Sequence, residues 1–348
     1  MDKPRPKNKS SVVFIVGVFI AVMILMFIAK MRSQNVQIIK IPLNNGIITL
    51  LTYNNLLAAI SNDNKIYVWE WSDVSKKPRE GVVESGEAVL VAPDIILSVK
   101  RTNPDCLVVS GFDANSERKK IPLSLTSNAA RLCANQDGSK IILLLERGGG
   151  EHITYELFEV EFSTKQVRLI TSVPAEQGRI EHFTVSNDGR YVVAAGENKE
   201  HGWLFVVDTN EKKIVWQKEL QDFRKLYKGV FSKDGEIIYL RGSDSMLTLV
   251  RTSSGEIKDR LLPTKENKST YRTQPAQTVA ISSDGDLVAA TVFVDVYIWD
   301  TKTRKKYDIA GAGQKVFSSM VFSPDAKFIA TADMRQGGNI KIIQTPRH

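Results

Sequence analysis

A short polar turn recurs seven times along this chain, each time between two short apolar runs. Its fullest form is Ser-x-Asp-Gly, at Ser186–Gly189, Ser232–Gly235 and Ser282–Gly285. Ser323–Ala326 repeats it with Ala in the last place, and Asn135–Gly138 repeats it with Asn in the first. Tyr53-Asn54-Asn55 and Ala92-Pro93-Asp94 hold the same place in the two most degenerate units, neither of which has Gly. Asp and Gly tolerate the backbone angles of a tight hairpin, and the flanking β-branched residues suit strands. Thr278–Asp300 displays the unit best. A first strand through Val279 and Ile281 meets the turn, Leu287–Thr291 follows as a second, and Val296–Trp299 is a third that ends in Trp299-Asp300.

The last residues of these turns lie 39 to 51 positions apart, which suits the period of a four-stranded blade. Third strands recur at 65–71, 154–160, 203–208, 246–251, 296–300 and 339–343. Fourth strands follow at Lys213–Trp216 and Glu256–Leu261. Seven units predict an all-β chain, a seven-bladed β-propeller of four-stranded blades over residues 36–348. The last unit runs out after its third strand. Val36–Ile41 has strand character and no unit of its own, so it is predicted to supply the missing outer strand of the last blade. Such closure removes open sheet edges.

Ahead of the repeats, Val12–Ala29 is an unbroken apolar run through Phe19 and Met26, near the length that spans a bilayer core. It predicts one transmembrane α-helix (12–29) between a basic tail (1–11) and a short linker (30–35). A cleaved signal is the alternative, but the run is long and ends in Lys30-Met31-Arg32, a poor cleavage site. No Cys lies in or just after it, which excludes a lipoprotein anchor there. Lys3, Arg5, Lys7 and Lys9 precede the run and only Lys30 and Arg32 follow closely, so a membrane-anchored, single-pass chain with a cytoplasmic N-terminus and the propeller on the opposite side is expected.

The same residues account for the charge. Up to Lys40 the chain has seven Lys or Arg against Asp2 alone, a net +6 of its total of +8. The basicity belongs to the membrane-flanking segment and does not imply a nucleic-acid partner. An apolar content of 43% is enough for a packed core.

Few residues suggest chemistry. Cys106 and Cys133 sit in strand-like apolar runs and read as buried thiols, with a disulfide as the alternative. There is no GxSxG, P-loop, HExxH or dinucleotide fingerprint, so no catalytic residues are assigned and no cofactor is expected. Three of the four histidines follow a glutamate: Glu151-His152, Glu181-His182 and Glu200-His201. In the blade register these fall on second-to-third-strand loops and a blade entry, which emerge on one face. Imidazole with carboxylate suits zinc or a similar metal, and ordinary exposed loop residues are the other reading. Tyr271 and Arg272 lie in Pro263–Gln277, the longest polar insertion and a further candidate binding loop. Trp69, Trp216 and Trp299 fall at strand ends, where packing between blades is expected. The basic runs Arg118–Lys120 and Lys302–Lys306 read as solvated outer edges, with contact to anionic lipid as an alternative.

The Ser-x-Asp-Gly turns and the aromatic-plus-acid endings (Trp299-Asp300, with Trp69-Glu70 and Val207-Asp208) resemble those of WD-repeat propellers over roughly residues 36–344. The Gly-His dipeptide that opens that family's blades is missing, so its buried Asp–His–Ser/Thr–Trp network is not assembled here. Val207–Trp216 is similar to one docking motif of quinoprotein-like propellers, which carry it in most blades. A single copy does not imply the quinone. The WD-repeat resemblance implies an interaction platform for protein partners rather than an enzyme. A propeller-class enzyme or ligand binder would need His, Asp, Glu or Arg converging on the channel-lining first strands. Those strands (Leu132–Ala134, Phe183–Ser186, Val230–Ser232, Val279–Ser282) read as mostly apolar and small, which favours binding by loops. A secreted or periplasmic assembly factor is the remaining alternative.

Overall fold

A computed structural model of the chain describes residues 36–40, 46–84, 88–93, 95–100, 106–111, 119–123, 127–135, 137–149, 152–174, 179–197, 201–221, 226–243, 246–261, 278–292, 295–309, 317–334 and 339–346. Residues from Ile38 to His348 form one compact unit, separate from Met1–Gln37. No helix among the described residues is long and apolar enough to cross a membrane. The apolar run and its residues Val12, Phe19, Met26 and Ala29 lie outside them.

Strand β1 (Val36–Lys40) comes first. Blade one is β2 (Ile47–Tyr53), β3 (Leu56–Ser61), β4 (Lys65–Glu70) and β5 (Arg79–Val82). Blade two is β6 (Ala88–Ala92), β7 (Ile95–Lys100), β8 (Cys106–Gly111) and β9 (Lys119–Pro122). Blade three is β10 (Ala129–Ala134), β11 (Ile141–Gly149), β12 (His152–Glu161) and β13 (Gln166–Pro174). Blade four is β14 (Arg179–Val185), β15 (Tyr191–Glu197), β16 (Gly202–Asp208) and β17 (Lys213–Leu220). Blade five is β18 (Leu226–Phe231), β19 (Ile237–Gly242), β20 (Leu247–Arg251) and β21 (Ile257–Leu261). Blade six is β22 (Val279–Ile281), β23 (Leu287–Val292), β24 (Asp295–Asp300) and β25 (Lys306–Ile309). Blade seven is β26 (Phe317–Phe322), β27 (Phe328–Asp333) and β28 (Asn339–Gln344), and β1 lies beside β28 as its fourth strand. The chain is therefore a seven-bladed, four-stranded propeller.

The blades pack face to face, so the core is a series of clusters shared by neighbours. Trp203, Phe205 and Val207 of blade four meet Tyr155, Leu157 and Ile142 of blade three. Trp69 and Tyr67 of blade one meet Ala330, Ala332, Ile340 and Ile342 of blade seven, so the first and last blades touch directly. Trp69 and Trp299 are buried here, and Trp216 is partly buried with its indole N–H donating to Thr252 O at 2.6 Å. Cys106 is buried and Cys133 half-buried, and neither is in a disulfide. Arg241 is also fully buried, and its guanidinium donates to Met246 O at 2.8 Å and across to blade six at Thr291 O, 3.4 Å.

The recurring turn has one construction. In blade four Ser186 Oγ donates to Asp188 Oδ1 at 2.6 Å and accepts from Tyr191 N at 2.9 Å, while Gly189 N donates to Ser186 O at 2.9 Å. Asp188 Oδ1 also accepts from Arg190 N at 3.0 Å. Ser232, Ser282 and Ser323 repeat this, and Asn135 substitutes its side-chain oxygen as acceptor from Lys140 N at 2.9 Å. The fourth turn residue has positive φ, 73° at Gly189 and 58° at Ala326, which is why Gly fills most copies. The acid closing the third strand caps the next turn: Asp208 Oδ1 accepts from Asn210 N and Glu211 N, at 2.9 and 3.0 Å. A threonine one residue past the third strand locks the two turns together, with Thr209, Thr301 and Thr345 donating Oγ1–H to Gly189 O, Gly285 O and Ala326 O at 2.7 to 2.9 Å.

Candidate functional site: the mouth of the central channel

The seven inner strands β2, β6, β10, β14, β18, β22 and β26 surround the axis. At the end where these strands begin, they enclose a cavity of about 490 Å³. A second, of about 580 Å³, opens where they end, and Thr184 and Lys228 line both. The two are mouths of one channel.

The entry mouth is not apolar. Arg131 on β10, Glu181 and His182 on β14 and Lys228 on β18 line it, all from adjacent blades. Hydroxyl-bearing Thr49, Thr278, Ser318 and Ser319 come from the other side. Each charged group belongs to the first half of its strand, where the chain passes from loop into sheet. Read from sequence, three of the inner strands start at Leu132, Phe183 and Val230, three or four residues late, which leaves Arg131, Glu181 and Lys228 outside them, while the start at Val279 is met.

Two of these side chains bridge blades. Arg131 Nη2 donates to Ile180 O at 3.2 Å, joining blade three to four. His182 Nε2 lies 3.1 Å from Gly229 O, joining blade four to five. A carbonyl only accepts, so the Nε2 nitrogen bears the proton. A register shift between Ile180 and His182 turns Ile180 into the blade interface and leaves both Glu181 and His182 on the channel.

The electrostatics are those of a crowded basic site. His182 and Lys228 keep part of their surface open to the channel, yet protein walls them on every side. Burial pushes the His182 imidazole down to about 3, helped by the Lys228 and Arg131 charges and opposed by its bond to Gly229 O. Burial alone pushes the Lys228 ammonium down to about 8, with no acceptor among the described residues holding its charge. Glu181, half-buried, lies 3.8 Å from the exposed Arg179, an ion pair at the rim.

The three histidines are set at different radii of one face. His182 is the fourth residue of an inner strand rather than part of an entry loop. His201 lies in the turn between β15 and β16, and His152 opens β12 opposite Gly149. Among the described residues no group of three His, Cys, Asp or Glu is placed to hold a metal, and the side chain of His152 is outside them. Tyr271 and Arg272 also lie outside the described residues.

No protein-family model and no curated protein sequence matches the chain. Solved structures do. Kuenenia stuttgartiensis hydrazine synthase matches with a TM-score of 0.65 at 15% identity, over 88% of this chain and 97% of that one. The Cps50 (Swd1) β-propeller domain of Myceliophteria thermophila matches with a TM-score of 0.62 at 12% identity, over 89% and 99%. At these identities the likeness establishes the propeller fold that all seven blades display.

Proposed function

We propose that this chain is a WD-repeat-type propeller held at a membrane by Val12–Ala29, where it serves as an interaction platform for protein partners and not as an enzyme. The N-terminus is cytoplasmic in this reading and the propeller lies across the membrane. Ring closure carries the proposal. With β1 beside β28, the sheets form a rigid disc, and the loops of its two faces become the surface on which partners dock. Cross-linking of the full chain in its native membrane, with mass-spectrometric identification, tests this. A stoichiometric partner linked through one face is expected, and capture of only lipids and abundant bystanders would sink the platform.

A second reading is a small-ligand binder of the propeller class. It is favoured by Arg131, Glu181, His182 and Lys228, which converge on channel-lining first strands as such a site requires. His152, His201, Tyr271 and Arg272 remain candidate contacts on loops in either reading.

A further inference from the structure

We propose that the entry mouth of the channel is a binding site for a small phosphorylated solute, its phosphoryl group held between Arg131 on β10 and Lys228 on β18. This goes beyond the platform and does not depend on it, since a chain that captures no protein partner can still bind phosphate.

Three observations support the site. First, the cavity is large enough for a small organic phosphate and is formed by inner strands of a closed ring, so its walls are fixed. Second, its chemistry is specific. The guanidinium of Arg131 is a planar fork, one arm of which already donates to Ile180 O, and Lys228 adds a point charge. Thr49, Thr278, Ser318 and Ser319 place hydroxyl donors around the same space. A tetrahedral phosphoryl group has three oxygens to satisfy, and this ring of donors matches it better than a flat carboxylate. Third, the arrangement is costly without an anion. Burial works against the Lys228 charge, and the described residues supply it no counter-charge. A propeller needs no ammonium there for its blades to pack. A group that destabilises the fold at a cavity wall is the mark of a binding function.

His182 has a defined part. Its Nε2 proton is committed to Gly229 O, which leaves Nδ1 as an acceptor. Neutral, it adds no charge of its own. A monoprotonated phosphoryl oxygen or a ligand hydroxyl can donate to it. Glu181 is paired with Arg179 at the rim.

The test is calorimetric titration of the full chain in mild detergent with phenyl phosphate, inorganic phosphate and succinate, at neutral pH and constant ionic strength. Saturable binding of phenyl phosphate is expected, with succinate at least tenfold weaker. Lys228→Met should weaken phenyl phosphate by at least tenfold while the protein melts no lower than the parent. Arg131→Lys probes the fork, but it also touches the bond to Ile180 O, so Lys228→Met is the deciding variant. Lys218→Met, on the outer strand β17, should bind as the parent does. Absence of saturable binding, equal binding in Lys228→Met, or succinate binding as tightly as phenyl phosphate would overturn the assignment.

Discussion

His182 Nε2 donates to Gly229 O at 3.1 Å, and this one bond crosses from the inner strand of blade four to that of blade five. It fixes the tautomer of an imidazole that the surrounding protein keeps neutral. The proton that an unfolded chain's histidine would accept near pH 6.5 is refused by the folded one until about pH 3. A base held down in this way weakens the fold as pH falls through that window, because the unfolded state binds the extra proton. His182→Gln retains an N–H donor for Gly229 O and removes the titration. Its stability should fall less steeply than the parent's between pH 6.5 and 4.5, by up to about 1.4 kcal/mol per pH unit. Urea titrations across that range measure this, and parallel profiles would refute it.

Lys228 is a base depressed in the same sense, in a window at higher pH. Its ammonium, pushed down to about 8, costs stability in full below that pH, and the cost is lost as pH rises toward the ordinary lysine value. Lys228→Met should therefore stabilise the protein at pH 7 by on the order of 1–3 kcal/mol, with the gain shrinking as pH rises past 8 toward 10. Removing this charge should also let the His182 pKa rise toward its usual value. Denaturant unfolding at pH 7 and pH 10 checks the first, and NMR titration of the imidazole checks the second.

The hairpin serines are structural. Ser282 Oγ donates to Asp284 Oδ1 at 2.5 Å and accepts from Leu287 N at 2.9 Å, in a turn where Ser282 is almost wholly buried. Ser282→Ala leaves the Leu287 N–H without its acceptor and should cost about 1–3 kcal/mol. Ser186→Ala, in a blade two places away, should cost about the same, and the pair should add. Thermal melts of the two single variants and the double variant decide this.

Ala326 is the place where one turn departs from the repeat. It holds φ +58°, which L-residues adopt only at a cost. Ala326→Gly should stabilise by about 0.5–1 kcal/mol, with the loss of a buried methyl offsetting part of the relief. An unchanged or lower melting temperature would show that packing of that methyl outweighs the backbone.

The blades were legible because their signals are local. Ser186–Gly189 and its repeats declare a turn within four residues, and the runs around them alternate as strands do. The threonine lock at Thr209, Thr301 and Thr345 was equally present in the sequence, one residue after the third strand, but a lone threonine gives no sign that its hydroxyl reaches back to an earlier turn. The channel mouth was harder to read. Arg131 and Lys228 stand at the starts of inner strands, where charge looks like loop. Which strands converge on the axis is decided only when seven distant blades close. The bulge at Ile180–His182 shifts two side chains and has no signature in composition or period.

The pairing of β1 with β28 has a consequence for how the molecule is made. A ribosome makes β1, the outer strand of blade seven, some 300 residues before its neighbour β28. Throughout that interval Val36–Lys40 has no strand to join, and blade one has no blade seven to cover Trp69. The nascent chain is an open arc with adhesive ends, and it becomes a finished ring only once Asn339–Gln344 has emerged. Until then an unpaired strand and an uncovered blade face lie open to neighbouring chains.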